Sequence, residues 1–244
     1  MTSTESTGST NMTGKHYENG LVITIDGPAG AGKTTISKLL ADHLSYRYID
    51  TGALYRAVAY ETHKVGIAPD NDDGFESLLT GLVLDFKPSP EGLRLYANGE
   101  DISNFIRTPK ITMLASAVSA REPVRRFLLD IQRDFAKGKR VIFEGRDMGT
   151  VVFPDADIKF FLIASSKARA IRRFEQMAGQ NDQTLEQVEE EMRARDANDS
   201  QRNLAPLVPA CDAVLIDSTQ LSLKQVIETM LRHIDRVFPS SYVT

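Results

Sequence analysis

The sequence predicts an α/β fold built on a doubly wound, parallel, five-stranded sheet. Three observations lead there. Short apolar runs alternate with stretches of helical length. Several of those runs are apolar throughout, as parallel strands covered on both faces require. A glycine-rich segment, Gly-Pro-Ala-Gly-Ala-Gly-Lys-Thr at residues 27–34, joins the first run to the first helical stretch.

The strands are expected at residues 21–25, 46–49, 141–144, 158–163 and 213–216, and the helices at 34–44, 52–63, 124–137, 166–177 and 223–237. Residues 82–106 break this alternation. Leu82-Val-Leu-Asp-Phe and Leu93-Arg-Leu-Tyr-Ala alternate like antiparallel strands, Pro88-Ser-Pro-Glu-Gly reads as a turn, and Asn98-Gly99 is a strong hairpin signal. We expect a small β-rich insertion over residues 70–110, a core made of 21–69, 111–164 and 198–244, and a helical lid over 165–197.

The 244-residue chain is 41% apolar, enough for a large core, and its net charge of −4 argues against binding a nucleic acid polymer through a broad basic surface. Its one cysteine, Cys211, excludes an internal disulfide and is expected to pack as a small hydrophobe. Residues 1–20, rich in Ser, Thr and Gly, read as a disordered tail rather than a secretory signal. With no apolar run of membrane-spanning length, a cytoplasmic protein is expected, and with no long heptad or apolar stripe, a monomer.

Segment 27–34 carries the phosphate-binding loop pattern, with Gly27 and Gly32 at its fixed positions. In such a loop backbone N–H groups turn inward around a polyphosphate. The lysine, here Lys33, reaches the β- and γ-phosphates, and the hydroxyl of Thr34 ligates Mg²⁺. The helix N-terminus adds partial positive charge. Gly27, Pro28, Ala29, Gly30, Ala31, Gly32, Lys33, Thr34 and Thr35 are therefore the candidate ATP-binding set. The fold class sharpens to a P-loop NTPase-type sheet, whose ligands gather at the carboxyl ends of the strands.

Further charges fall at those ends. After the second strand comes Asp50-Thr-Gly-Ala-Leu-Tyr-Arg56, where Thr51 can cap a helix and Arg56 can close on an anion held there; taken alone, this reads as an ordinary capped helix. Gly145-Arg-Asp-Met-Gly149 follows the third strand and places Arg146 and Asp147 at the ligand edge. Arg169, Arg172 and Arg173 share one helix face, and Arg195 to Arg202 add more charge near a loop. The polar stretch at 178–184 could hinge, giving a lid whose arginines close over phosphates. Phosphoryl transfer between two nucleotides needs such cations, because charge spreads over the oxygens of the transferred group and arginine binds phosphate bidentately.

The chain closely resembles the bacterial-type cytidylate kinases, a family of nucleoside monophosphate kinases. The resemblance rests on residues 23–33, 50–56, 144–155 (Glu-Gly-Arg-Asp-Met-Gly-Thr-Val-Val-Phe-Pro-Asp), 205–209 (Ala-Pro-Leu-Val-Pro) and 217–222 (Asp-Ser-Thr-Gln-Leu-Ser). It implies Mg²⁺-dependent transfer of the γ-phosphate of ATP to CMP or dCMP. It further implies that Thr51, Arg56, Arg146 and Arg202 hold the acceptor phosphate, that Ser116, Arg125 and Asp147 read the cytosine, and that Arg195 and Asp199 contact the sugar. Arg169 and Arg172 resemble the ATP-side arginines, and Lys33, Arg146, Arg172 and Arg202 are the implied catalytic group. Serine is common at position 51 in the family; threonine keeps the hydroxyl. The competing readings are a UMP or shikimate type of kinase on the same scaffold, a nucleotide-sensing switch, and a degenerate fold that only binds. The chain has no guanine-reading Asn-Lys-x-Asp string.

Overall fold

A computed structural model of the chain describes residues 20–90, 92–177 and 183–239. The expectations for the tail and for most of the hinge fall on residues 1–19 and 178–182 and so lie outside the described residues.

The central sheet contains β1 (Val22–Asp26), β2 (Arg47–Asp50), β6 (Val141–Glu144), β7 (Ile158–Ile163) and β8 (Val214–Asp217), in the order β2-β6-β1-β7-β8. All four pairings are parallel. Alternation along the strands divides the side chains between two cores. Ile23 and Ile25 of β1, Ile142 of β6, and Ile158, Phe160 and Leu162 of β7 pack on α1 (Lys33–Leu44) and α8 (Leu223–Val237). Val22, Val141 and Phe143 point the other way, towards Met148, Val152 and Phe153, with Leu129 and Phe135 of α5 (Glu122–Phe135) alongside. The five expected strands all form, shifted by one residue at β1, β2 and β8.

The insertion differs from expectation in composition. It holds β3 (Leu84–Ser89), β4 (Gly92–Ala97) and the short β5 (Glu100–Asp101), but opens with a helix, α3 (Asp72–Thr80). Strands β3 and β4 run further than expected, since Pro88 pairs with Leu93 and Ser89 with Gly92. Asn98 and Gly99 turn between β4 and β5 at φ 49° and 86°, the two positive dihedrals of a tight hairpin turn. Phe75 and Leu79 of α3 join Leu84, Leu95, Ile102 and Ile106 on Leu54 and Val58 of α2 (Thr51–Val65) and Leu128 of α5. The insertion therefore shares a core with the helices beside the sheet.

A second unexpected helix, α4 (Pro109–Val118), starts from the Thr108 side chain, with proline at the first turn. Met148–Val152 forms a single π-helical turn after β6. Cys211 is exposed rather than packed, because it lies in the turn before β8. The two remaining helices are α6 (Ser166–Gln176) and α7 (Leu185–Gln201). Among the described residues no helix is long and apolar enough to cross a membrane.

Candidate active site

The phosphate loop leaves β1 at Asp26 and enters α1 at Lys33. Gly27 is required sterically: at φ 142° an added Cβ would sit 2.0 Å from the Leu162 carbonyl oxygen. Gly32, at φ 90°, precedes α1 and offers no side chain to its first-turn N–H groups. Those donors are left to an anion. Lys33 is 4% exposed and donates to the Pro28 carbonyl at 2.7 Å. Burial, and then the positive field of Arg146, pushes its ammonium down from 10.5 to about 7. Thr34 and Thr35 are exposed on the loop side of α1. Thr34 donates to Glu144 Oε1 at 2.9 Å, and the Tyr48 hydroxyl holds Oε2 of the same carboxylate at 2.5 Å.

Beside the loop, β6 delivers the Gly145-Arg-Asp segment. Asp26 shapes it by accepting the N–H groups of Met148 at 3.0 Å and Gly149 at 2.8 Å. Burial raises the Asp26 carboxyl to about 6, although those two N–H groups oppose the rise. Arg146 donates to Asp199 at 3.1 Å. Asp147, 2% exposed, pairs with Arg125, and Arg202 Nη2 lies 3.5 Å from its other oxygen. The Arg125 guanidinium also stands over the Tyr55 ring, 5.7 Å from its centroid.

Thr51 does not cap α2, contrary to expectation. Asp50 does, accepting from the Ala53 N–H at 3.2 Å, while the buried Thr51 hydroxyl donates to the Glu144 carbonyl at 2.6 Å. The carboxylate of the preceding residue reaches the free N–H groups, and the hydroxyl is drawn to the end of β6. Asp50 also holds Arg56 at 2.7 Å, with Arg107 at 3.6 Å. Burial would raise the Asp50 carboxyl, but these two guanidinium groups outweigh it and keep it low.

Several cations converge with their donors unspent. Arg56 Nε and Arg195 Nε are buried without a hydrogen-bond partner, and Arg202 Nη2 has only its 3.5 Å approach to Asp147. Burial, and then the nearby Arg146, pushes Arg195 down to about 10. Buried donors left unpaired cost about 1–3 kcal/mol each, so this cluster is poised for an anion. Next to it opens a cavity of about 400 Å³ lined by Met113, Ser116, Ala117, Asn198, Asp199 and Arg202, among others. Lys33, Arg56, Arg146, Arg195 and Asp199 thus act on one another electrostatically, while Ser116, Asp199 and Arg202 line one cavity and Arg202 links it to the Asp147–Arg125 pair.

The two lid arginines are held by protein groups that border the phosphate loop, Arg169 through Ala29 and Arg172 through Ser218, whose hydroxyl donates to the Ala31 carbonyl. Arg172 donates to Ser218 through both terminal nitrogens, at 3.1 Å to Oγ and 2.5 Å to the carbonyl. Arg169 donates to Ala164, Ala29 and Asp196. Sequence reasoning assigned no role to Asp26, Asp50, Glu144 or Ser119. Asp50 carried a legible signal, being a preferred capping residue just before a helix. Ser119 carried none: its carbonyl accepts from Arg125 at 3.1 Å and its hydroxyl from Arg202 at 3.3 Å only because α4 ends beside both.

The comparisons with known proteins identify the family. The cytidylate kinase family model matches residues 23–236. A cytidylate kinase from Geobacter sp. (strain M21) is 50% identical over 88% of this chain and 93% of its own length. The one from Geobacter sulfurreducens is 48% identical over 91% and 97%. A solved structure of an uncharacterized protein from Eubacterium ventriosum superposes with TM-score 0.50 at 13% identity, covering 88% of this chain and 98% of that one, which is a likeness of fold alone. With the loop, the buried arginines and the match spanning nearly the whole described chain, the protein belongs to the cytidylate kinase family.

Proposed function

We propose that the protein is a cytidylate kinase that transfers the γ-phosphate of ATP to CMP or dCMP, giving ADP and CDP or dCDP. The observation that carries the reading is the clustering of Lys33, Arg56, Arg146, Arg195 and Arg202, two of them with unpaired buried donors, beside a phosphate loop and a cavity of about 400 Å³. ATP lies on the loop, its β- and γ-phosphates facing Lys33. Thr51, Arg56, Arg146 and Arg202 hold the phosphate of CMP; Arg195 and Asp199 face its sugar; Ser116, Arg125 and Asp147 read its base. The acceptor oxygen is already anionic, so no strong base is needed. Catalysis consists of alignment and of arginine charge placed where negative charge spreads in the transition state. A single chain acting in the cytoplasm, where ATP and nucleoside monophosphates occur, suits this reading.

A divalent cation fits the same space. The Thr34 hydroxyl and the Glu144 carboxylate bring hard oxygen donors to the end of the loop, 2.9 Å apart, which suits Mg²⁺ held partly by substrate phosphates. When bound, the ion neutralises charge on the β- and γ-oxygens. Tyr48 orients the carboxylate that faces it.

The reading is tested by ADP formation with CMP, dCMP, UMP, AMP and shikimate offered separately, with and without Mg²⁺. Turnover confined to CMP and dCMP and dependent on metal is expected. ADP released regardless of acceptor would replace the kinase with a hydrolase or switch.

Lys33 adds a proton-linked prediction. Its folded value of about 7 lies below the ordinary 10.5, so between these limits the free folded protein releases a proton that the unfolded chain keeps. Stability contributed by this group therefore rises with pH across that window and is flat below it. A bound polyphosphate restores the ammonium. Titration of ATP at pH 8 in buffers of different ionisation enthalpy should show proton uptake approaching one per site, absent in Lys33→Ala. Equal uptake in both proteins would assign the proton to another group.

A further inference from the structure

We propose that Arg169 is a positioning residue that latches the phosphate loop to α7, rather than a ligand of the triphosphate. The inference rests on reading residues 27–34 as the ATP loop.

Arg169 is 7% exposed, and both Nε and Nη1 of its guanidinium group are engaged. Nε donates to the Ala164 carbonyl at 2.9 Å, at the end of β7. Nη1 donates to the Ala29 carbonyl, inside the loop, at 3.0 Å. The same nitrogen pairs with Asp196 of α7 at 2.5 Å. One planar fork thus ties strand, loop and helix together. An independent apolar contact lies beside it: Ala170 of α6 with Val188 and Met192 of α7 form a small core against which Ala29 packs. Gly30 leaves room for this contact, since a Cβ there would meet the Met192 methyl at 2.5 Å and the Arg169 Cβ at 3.1 Å. The helix carrying Asp196 also carries Arg195 and Asp199. Arg169 therefore fixes the triphosphate loop against α7, which the Arg146–Asp199 pair holds separately to the end of β6.

A latch needs the geometry of the fork, whereas a phosphate ligand needs charge. Lysine keeps the charge but cannot donate in three directions from a planar group. Asp196→Ala leaves Arg169 intact and releases it from α7. We expect Arg169→Lys and Asp196→Ala each to raise the KM for ATP and the Kd of a fluorescent ATP analogue about tenfold to a hundredfold, while the KM for CMP changes less than about twofold. The double variant should be no worse than the more affected single one, because both break one unit. Arg193→Ala, which removes an exposed pair with Glu189 on the same helix, should behave as the unaltered protein. Thermal unfolding of each variant separates a loosened loop from an unfolded one. The latch is overturned if Asp196→Ala binds ATP normally or more tightly while Arg169→Lys retains near-normal KM for ATP, the pattern of a direct charge contact. It is also overturned if both variants raise the two KM values equally. Failure of the kinase reading itself would show instead as no CMP-dependent turnover in the unaltered protein.

Discussion

Lys33→Ala is expected to lower kcat by about 10²–10³-fold while leaving the Kd for CMP within about twofold. Lys33 sits at the base of the loop, 4% exposed, donating to the Pro28 carbonyl. Its ammonium is costly to keep charged in the free protein, because burial and the field of Arg146 both oppose it. That cost is offset when a triphosphate arrives, and further as charge builds on the transferred group, which makes the contact worth more in the transition state than in the ground state. The CMP phosphate has Arg56, Arg146 and Arg202 of its own, so acceptor binding survives. The fold survives too, since removing a desolvated charge relieves strain; the unfolding temperature should hold or rise. Steady-state kinetics, CMP titration and a melting curve on one preparation check all three. Turnover near that of the unaltered protein would remove Lys33 from the mechanism.

Asp147→Asn should collapse base discrimination, lowering the ratio of kcat/KM for CMP over UMP by about tenfold to a hundredfold. Cytosine offers an N4 amino donor beside an N3 acceptor, whereas uracil reverses both. A carboxylate accepts from N4 and faces a lone pair on O4 of uracil. Asp147 is buried and held in place from two sides, by Arg125 and by Arg202 at 3.5 Å. Its orientation is also fixed from behind, where Asp26 anchors the N–H groups of the next two residues. An asparagine fits this space but can present either an oxygen or an amino group to the base. The same CMP-to-UMP ratio in both proteins would mean that another residue reads the base. Melting temperatures show whether the lost ion pairs also loosen the Arg125 side chain.

The scaffold was legible because its signals are local. Apolar runs such as Val141–Glu144 and Ile158–Ile163 read as parallel strands from composition alone, and the loop motif fixed the start of α1 to within one residue. Helices α3 and α4 were missed for opposite reasons. The segment of α3 has few apolar residues and an interior glycine, and only packing of Phe75 and Leu79 against the shared core makes it helical. The segment of α4 carried a threonine cap and a first-turn proline, a readable start that the strand-like insertion obscured.

Within the site, the residue types were determined by the sequence: a lysine and threonine after the loop, arginines at strand ends, a carboxylate after β6. Their partners were decided by tertiary structure. Asp50 and Thr51 both carry a capping signal, and only the neighbouring strand decides that Asp50 caps α2 while Thr51 turns to the end of β6. Likewise, Arg169 and Arg172 look alike on one helix face, yet one reaches into the phosphate loop and the other into Ser218. A helix face specifies direction, but what a long guanidinium arm meets depends on elements far apart in the chain, and only folding brings residues 29, 169 and 196 to one point.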